Sequence, residues 1–229
     1  MYRLVGVWVV LLAGVLSGCG GGAQENATAE GETSASQSQT LAAPEGSLAG
    51  ATMALGSEEA PLTIIEYASV TCPACAAFHA QYFPEIKEKY IDTGKVRFIY
   101  REFPTAPQNL AYAGFYTARC AATDRGPVAY FAMLDTLYAR QREWAYGDNP
   151  GDVLENIAAQ AGIDRQELET CFRREDIRSA VKANVLEGVE AHGVNSTPTF
   201  IVDDEELDWN RGSETMSEAI ERALAARQG

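Results

Sequence analysis

Two hydrophobic periods alternate along the chain and divide it into strands and helices. From Pro61 to Ala68 the run is apolar and β-branched almost without interruption, the pattern of a strand buried in the middle of a sheet. Residues 53–55 precede it as a short edge strand. From Pro73 the period lengthens: Cys75, Phe78, Tyr82 and Ile86 share one helical face, Pro84 predicts a kink, and the helix stops near Gly94. Lys95 to Arg101 reads as a second strand. A strand, helix, strand unit with so short a return predicts a parallel pair joined by a right-handed crossover.

Residues 104–193 read as helix throughout. Tyr112, Tyr116 and Cys120 recur at four-residue spacing, as do Tyr130, Leu134 and Tyr138, and "NPGD" at 149–152 breaks the pattern before Val153 to Ala161. Asp164 with Glu167 has the spacing of a capping box, opening a helix that carries Leu168, Cys171 and Phe172. Ile177, Val181, Val185 and Val189 mark a last helix before Gly193. The aromatic residues Tyr112, Phe115, Tyr116, Tyr130, Phe131 and Trp144 are assigned to the helical core. A strand returns at "TPTFIVDD", 197–204, then the solvated turn "DDEELD" at 203–208 and a terminal helix with Met216, Ile220 and Leu224 inward. The order predicts a small α/β domain, 51–104 and 194–229, carrying an inserted all-helical domain over 105–193. No internal repeat or dimerisation region is evident, so a monomer is expected.

The two ends change the picture. Arg3 followed by the apolar run 4–16 is too short to span a bilayer and has the form of a signal-peptide core, so 1–18 is read as an export signal. "LSGC", Leu16 to Cys19, resembles the lipobox of bacterial lipoproteins, which implies a lipid on Cys19 and a membrane anchor. Residues 19–50 are rich in Gly, Ser, Ala, Gln, Glu and Thr and are read as a flexible tether with a reach of roughly 30 Å. The chain has 229 residues, 46% of them hydrophobic, and a net charge of -14 without any basic stripe, which excludes a nucleic-acid backbone as ligand.

Of 5 cysteines, setting Cys19 aside leaves Cys72, Cys75, Cys120 and Cys171. In an oxidising compartment three pairings are open, and joining 72 with 75 and 120 with 171 is favoured. "TCPACAAFH", 71–79, sits where a strand gives way to a helix. A first cysteine at a helix N-terminus has its thiolate stabilised by unpaired N–H groups and the helix dipole, and Pro73 suits the first turn because no N–H is needed there. That lowers the thiol pKa and makes Cys72 a nucleophile and a leaving group, with Cys75 a turn further in as the thiol that resolves a mixed disulfide.

"TIIEYASVTCPACAAFH", "GKVRFIYREFP" and "GVNSTPTFIV" together resemble the bacterial DsbA-like branch of the thioredoxin superfamily over most of residues 53–229. The resemblance implies a thioredoxin fold with a helical insertion, no cofactor, and a thiol-disulfide oxidoreductase acting on exported polypeptides in the periplasm. It makes Cys72 and Cys75 the redox pair, Pro198 a cis-proline beside it, Thr197 a substrate-binding position, and Glu66 a buried acid able to move a proton from Cys75. The competing reading of Glu66 is a strand-end carboxylate reaching water. The resemblance also implies a disulfide between Cys120 and Cys171 and a membrane partner of the DsbB kind. Pro73 keeps the family's dipeptide half intact, whereas Ala74 stands where strong oxidases of the family carry histidine, so a milder oxidant is expected.

Zinc is a poor rival for Cys72 and Cys75: only His79 and His192 remain as further ligands, in no ligand pattern, and no metal is expected. His79 is read as surface or half-buried, and His192 as a cation complementing a helix C-terminus. The alternatives are a reductase or isomerase of the cell envelope and, in another class, a lipoprotein binding or chaperone module with only a structural disulfide.

Overall fold

The computed structural model describes residues 44–209 and 214–227. The signal segment, Cys19 and most of the predicted tether lie outside them. Five strands form one sheet in the order β1-β3-β2-β4-β5. These are β1 (Met53–Leu55), β2 (Leu62–Ala68), β3 (Val96–Glu102), β4 (Thr199–Val202) and β5 (Glu205–Glu206). β2 runs parallel to β3 with Glu66 opposite Tyr100 and Ala68 opposite Glu102, while β1 and β4 flank the pair antiparallel. The central position of β2 explains its unbroken apolar run, since both faces of a middle strand are covered.

Between β2 and β3 the chain forms α1 (Pro73–Gln81), α2 (Phe83–Ile86) and a π-helical stretch Lys87–Ile91. The break at Tyr82 falls just before Pro84, whose ring cannot continue a regular helix. Between β3 and β4 lie α3 (Gln108–Ala121), α4 (Gly126–Ala139), α5 (Gln141–Trp144), α6 (Pro150–Gln160), α7 (Arg165–Cys171) and α8 (Glu175–Glu190), and α9 (Met216–Ala225) closes the described chain. This is a thioredoxin fold with a helical insertion. The capping box at Asp164 and Glu167 forms as its spacing predicts, and Thr215 with Glu218 makes a second one.

Two sequence expectations change, and a third element takes the form expected of it. Residues 44–50, assigned to the tether by composition, pack against the helices: Ala49 is buried, and its carbonyl accepts from Arg119 Nη1 at 2.7 Å. Backbone carbonyls make part of the contact, and the Ser47 hydroxyl adds bonds with Arg174 and Asp176. On α8 the buried face runs Ile177, Val181, Asn184 and Gly188, leaving Val189 exposed. A strict four-residue step drifts off a helix of 3.6 residues per turn, and Gly188 permits close approach: a Cβ there would meet Tyr67 Cε1 at 2.9 Å. In the hairpin, Asp203 and Asp204 both have positive φ, 52 and 63°. They make the two-residue turn that glycine usually occupies, a conformation that aspartate tolerates better than most side chains.

The helical layer is fixed to the sheet by a carboxylate at the end of β3. Glu102 is wholly buried and accepts from Arg119 Nε at 2.6 Å and Nη2 at 3.0 Å, from Tyr130 Oη at 2.8 Å, and from Asn184 Nδ2. α3, α4 and α8 thus meet on one side chain. Cys120 of α3 is disulfide-bonded to Cys171 of α7, with S–S 2.08 Å and Cα–Cα 6.0 Å. Closing a loop of that size stabilises by about 4 kcal/mol in the chain-entropy account.

Burial alone raises the pKa of Glu102, but the Arg119 charge and the bonds from Arg119 and Tyr130 outweigh it and hold it below the ordinary range. Such a group stabilises the fold fully above the unfolded carboxylate pKa, and its contribution is lost as pH falls through the lowered folded value. Replacing Arg119→Met leaves a buried carboxylate with its countercharge gone, and urea unfolding at pH 7 is expected to show a loss of roughly 3–5 kcal/mol. The double replacement Glu102→Gln with Arg119→Met is expected to recover part of it and to flatten the acid limb of the stability curve.

Candidate active site

The segment between β2 and α1 is a turn with its polar groups bonded. Cys72 N–H donates to Ser69 O at 3.0 Å, and Ser69 Oγ accepts from the N–H groups of Thr71 and Thr105 at 3.3 and 3.2 Å. The remaining carbonyls are met from the helical insertion. Gln141 Nε2 donates to Val70 O at 2.9 Å and Cys72 O at 3.0 Å, and Tyr146 Oη donates to Thr71 O. Gly114 of α3 lets this packing happen: a Cβ there would lie 2.7 Å from Val70 Cγ2 and 2.8 Å from Trp144 Cη2.

That turn delivers Cys72 as the residue capping α1, with Pro73 in the first turn. Pro73 and Ala74 are exposed, Cys72 is 8% exposed and Cys75 is fully covered. Both cysteines are free thiols here, so the structure is that of the dithiol state rather than of the favoured 72–75 disulfide. Cys72 is lowered from 9.0 to about 5. The largest cause is hydrogen bonding from the Cys75 thiol, which outweighs burial; the Thr197 side chain and the N–H groups of Cys75 and Ala74 add to it. Cys75 is driven well above the usual thiol range, by burial first and then by its bond to Cys72 and the nearby charges of Cys72 and Glu66.

Opposite Cys72 stands the Thr197–Pro198 peptide, which is cis, as is Ala106–Pro107. The neutral Cys72 thiol can donate to Thr197 O at 3.4 Å, whereas the thiolate cannot, so the carbonyl favours the protonated form. The Thr197 hydroxyl is buried without a hydrogen-bond partner in this dithiol state and is available to donate to the thiolate once it forms. Beneath the pair, Glu66 is fully buried on β2, with Oε2 2.9 Å from His79 Nε2. His79 is therefore not a surface residue: its side chain is 2% exposed and its ring stacks on Tyr138 at 4.4 Å. The inward face of α1 reaches position 79 because it lies one turn beyond Cys75. His192 also differs from expectation. It lies past the end of α8, with Nδ1 2.9 Å from Tyr67 Oη and Nε2 3.5 Å from Asp204 Oδ1, a side-chain bridge between β2 and the β4–β5 turn.

A groove borders Cys72 on the Pro198 side, lined by Ala74, Phe78, Tyr82, Pro198, Leu207 and Trp209. The Trp209 ring meets Phe78 at 5.7 Å, Tyr82 at 5.4 Å and Phe200 at 5.6 Å. Gln141, Tyr146 and Trp209 carry no signature in the sequence, because only folding brings the first two onto the Cys72 turn and the third into the neighbouring groove. Cys120 and Cys171 lie away from this site. Among the described residues no group of three His, Cys, Asp or Glu side chains is placed to hold a metal.

A family model described as thioredoxin matches residues 48–222. The chain belongs to the thioredoxin family, in its DsbA-like branch. A provisionally named protein-disulfide oxidoreductase of Rickettsia conorii is 34% identical over 173 residues, 75% of this chain and 60% of that protein. This DsbA-like chain thus spans about three fifths of the length of the curated relatives it matches. Among solved structures, Wolbachia pipientis alpha-DsbA1 aligns with TM-score 0.65 and 26% identity, covering 78% of this chain and 93% of that one. BdbD from Bacillus subtilis has the same fold, with TM-score 0.65 and 21% identity over 82% of this chain and 99% of that one.

Two measurements follow from the electrostatics of the DsbA-like site. Alkylation of Cys72 in the reduced protein, followed against pH, is expected to show a midpoint near 5, and Cys75→Ala is expected to move that midpoint upward by removing its largest cause. An unmoved midpoint would show that Thr197 and the backbone N–H groups hold the thiolate without Cys75. Gln141→Leu strips a donor from Val70 O in the buried turn, and a loss of about 1–3 kcal/mol is expected in urea unfolding, with faster amide exchange at residues 70–72.

Proposed function

We propose that the protein is a thiol-disulfide oxidoreductase working as a dithiol oxidase on exported polypeptides. The observation that carries this reading is the division between two neighbouring thiols, Cys72 lowered to about 5 and Cys75 raised. Stabilising the Cys72 thiolate favours the reduced pair, and a redox centre whose reduced form is favoured is oxidising. A substrate thiolate attacks the Cys72 sulfur of the active-site disulfide, and the bond to Cys75 breaks. Cys75 departs as a thiolate and takes up a proton through Glu66. A second substrate thiolate then attacks the substrate sulfur of the mixed disulfide, and Cys72 leaves as its stabilised thiolate. One disulfide is gained by the substrate and one is lost by the enzyme.

In this reading Thr197 and Pro198 present backbone to an extended substrate, the groove floored by Phe78 and Trp209 takes its apolar side chains, and Pro73 and Ala74 tune the potential. Residues 51–104 and 194–229 act as the thioredoxin-like domain and 105–193 as its helical insertion. The lipid on Cys19 and residues 20–43 would hold this unit at the membrane of the cell envelope as a monomer, with a DsbB-like membrane partner restoring the disulfide. No helix among the described residues is long and apolar enough to cross a membrane. Ala74 favours a milder oxidant than a histidine would: its side chain adds nothing to the thiolate, which relies on Cys75, Thr197 and backbone N–H groups.

Equilibration of the 72/75 pair with glutathione is expected to give a potential well above the roughly −270 mV of thioredoxin, and Ala74→His is expected to raise it further. A value at or below that of thioredoxin would turn the reading to a reductase. With Cys75→Ala, substrate is expected to remain bound as a mixed disulfide on Cys72, and with Cys72→Ala no adduct is expected. Failure of both the adduct and insulin reduction would leave a binding module.

A further inference from the structure

The thiol chemistry leaves one buried feature unexplained, the histidine joined to Glu66. His79 Nε2 lies 2.9 Å from Glu66 Oε2, while His79 Nδ1 and Glu66 Oε1 are buried without any hydrogen-bond partner. A bare buried polar atom costs free energy and calls for an explanation, of which a catalytic role is one. The ring is clamped between Tyr138 at 4.4 Å and Phe83 at 4.7 Å, so it cannot swing away to find a partner. His79 also lines a cavity of about 340 Å³, far above the roughly 15 Å³ that one water requires. Ala76, Ala80 and Ala139 form apolar parts of its wall, and Asp135, exposed on α4, and Lys87 stand along it.

We propose that His79 is a proton relay, carrying the proton of Cys75 from Glu66 to water in this cavity, with Asp135 as the charged group at the way out. This deepens the thiol-exchange reading and rests on it. The groups facing His79 are few: Glu66 from β2, Tyr100 from β3, Tyr138 and Asp135 from α4, Lys87 from the π-helical stretch, and Cys75 on its own helix. The two tyrosines are bonded to each other at 2.8 Å, and burial holds both hydroxyls well above the usual range, so neither takes up a proton at neutral pH. Lys87 is occupied by Asp92 at 2.7 Å. His79 is thus the titratable group between the buried carboxylate and the cavity.

The step balances as follows. As the Cys75 sulfur attacks the Cys72 sulfur of a mixed disulfide, its proton passes to Glu66. The Cys75–Cys72 bond forms, and the partner sulfur leaves with the electron pair of the broken bond. Glu66 gives the proton to His79 Nε2, and the imidazolium releases the proton on Nδ1, which is covered in the resting structure, to cavity water once the side chains over it shift. When the active-site disulfide is next reduced, the Cys75 thiolate recovers a proton by the same route in reverse. The ring is thereby returned to its starting tautomer, with no separate reset.

The test separates formation of a mixed disulfide from its resolution. Reduced wild-type protein and the His79→Gln and His79→Ala variants are mixed with oxidised glutathione, and each step is followed by rapid acid quench and mass measurement. Formation on Cys72 is expected to be unchanged in the variants. Resolution by Cys75 is expected to slow roughly tenfold to a hundredfold, with an altered pH profile, as for loss of a general base. Added imidazole is expected to restore His79→Ala several-fold by entering the cavity, and to leave His79→Gln unchanged. Resolution at the wild-type rate in a folded variant overturns the relay, as does slow resolution with an unaltered pH profile and no response to imidazole. If His79→Ala does not fold, the rate and pH profile of His79→Gln decide alone. A wild-type protein that forms no mixed disulfide with glutathione overturns the thiol-exchange reading itself, and the relay with it.

Discussion

The arrangement hangs on a carboxylate that has no route to water. Glu102 closes β3 inside the protein, and a charge so placed is tolerated only when every lone pair is met. Arg119, Tyr130 and Asn184 meet it from three helices, so the helical layer has one seating on the sheet. Arg119 also donates to the carbonyls of Ala49 and Ala51, which brings the chain ahead of β1 into the same cluster. Glu102 pairs in register with Ala68, at the end of β2 from which the Cys72 turn departs. Seating the helices there also places Gln141 and Tyr146 over that turn.

The thiol pair is shaped by an inequality between two like groups. Cys72 and Cys75 are three residues apart, but one caps the helix and the other lies a turn further in, under complete cover. The buried thiol keeps its proton and lends it as a hydrogen bond to the outer sulfur. Each pKa shift is therefore partly the cause of the other, and the pair behaves as a coupled unit. Ala74 withholds a side-chain contribution, but its N–H remains. A helix start can thus make a good leaving group without a histidine between the cysteines.

Much of this was legible in the amino-acid order. β2 is an apolar run because a central strand is covered on both faces, and Cys-Pro-Ala-Cys after it could only open a helix. The capping box at Asp164 and the inward face of α9 follow from spacing alone. Expectation failed where a side chain's fate depends on a distant neighbour. His79 read as a surface or half-buried histidine, since one polar residue on a helix is usually at least partly solvated, yet Glu66 and Tyr138 enclose it. Val189 looked inward until the helical period carried Gly188 onto Tyr67 instead.

The sequence by itself determined the periods, the caps and the placement of a reactive cysteine at a helix N-terminus, because each of these is decided by residues within a few positions of one another. Tertiary structure alone decided which charges are buried and by what they are answered. Glu102 finds Asn184, Cys72 finds Gln141 and Thr197, and Glu66 finds His79 through contacts between separate elements. Burial and countercharge are properties of a packed interior rather than of a local stretch, and they set the chemistry of "TCPACAAFH".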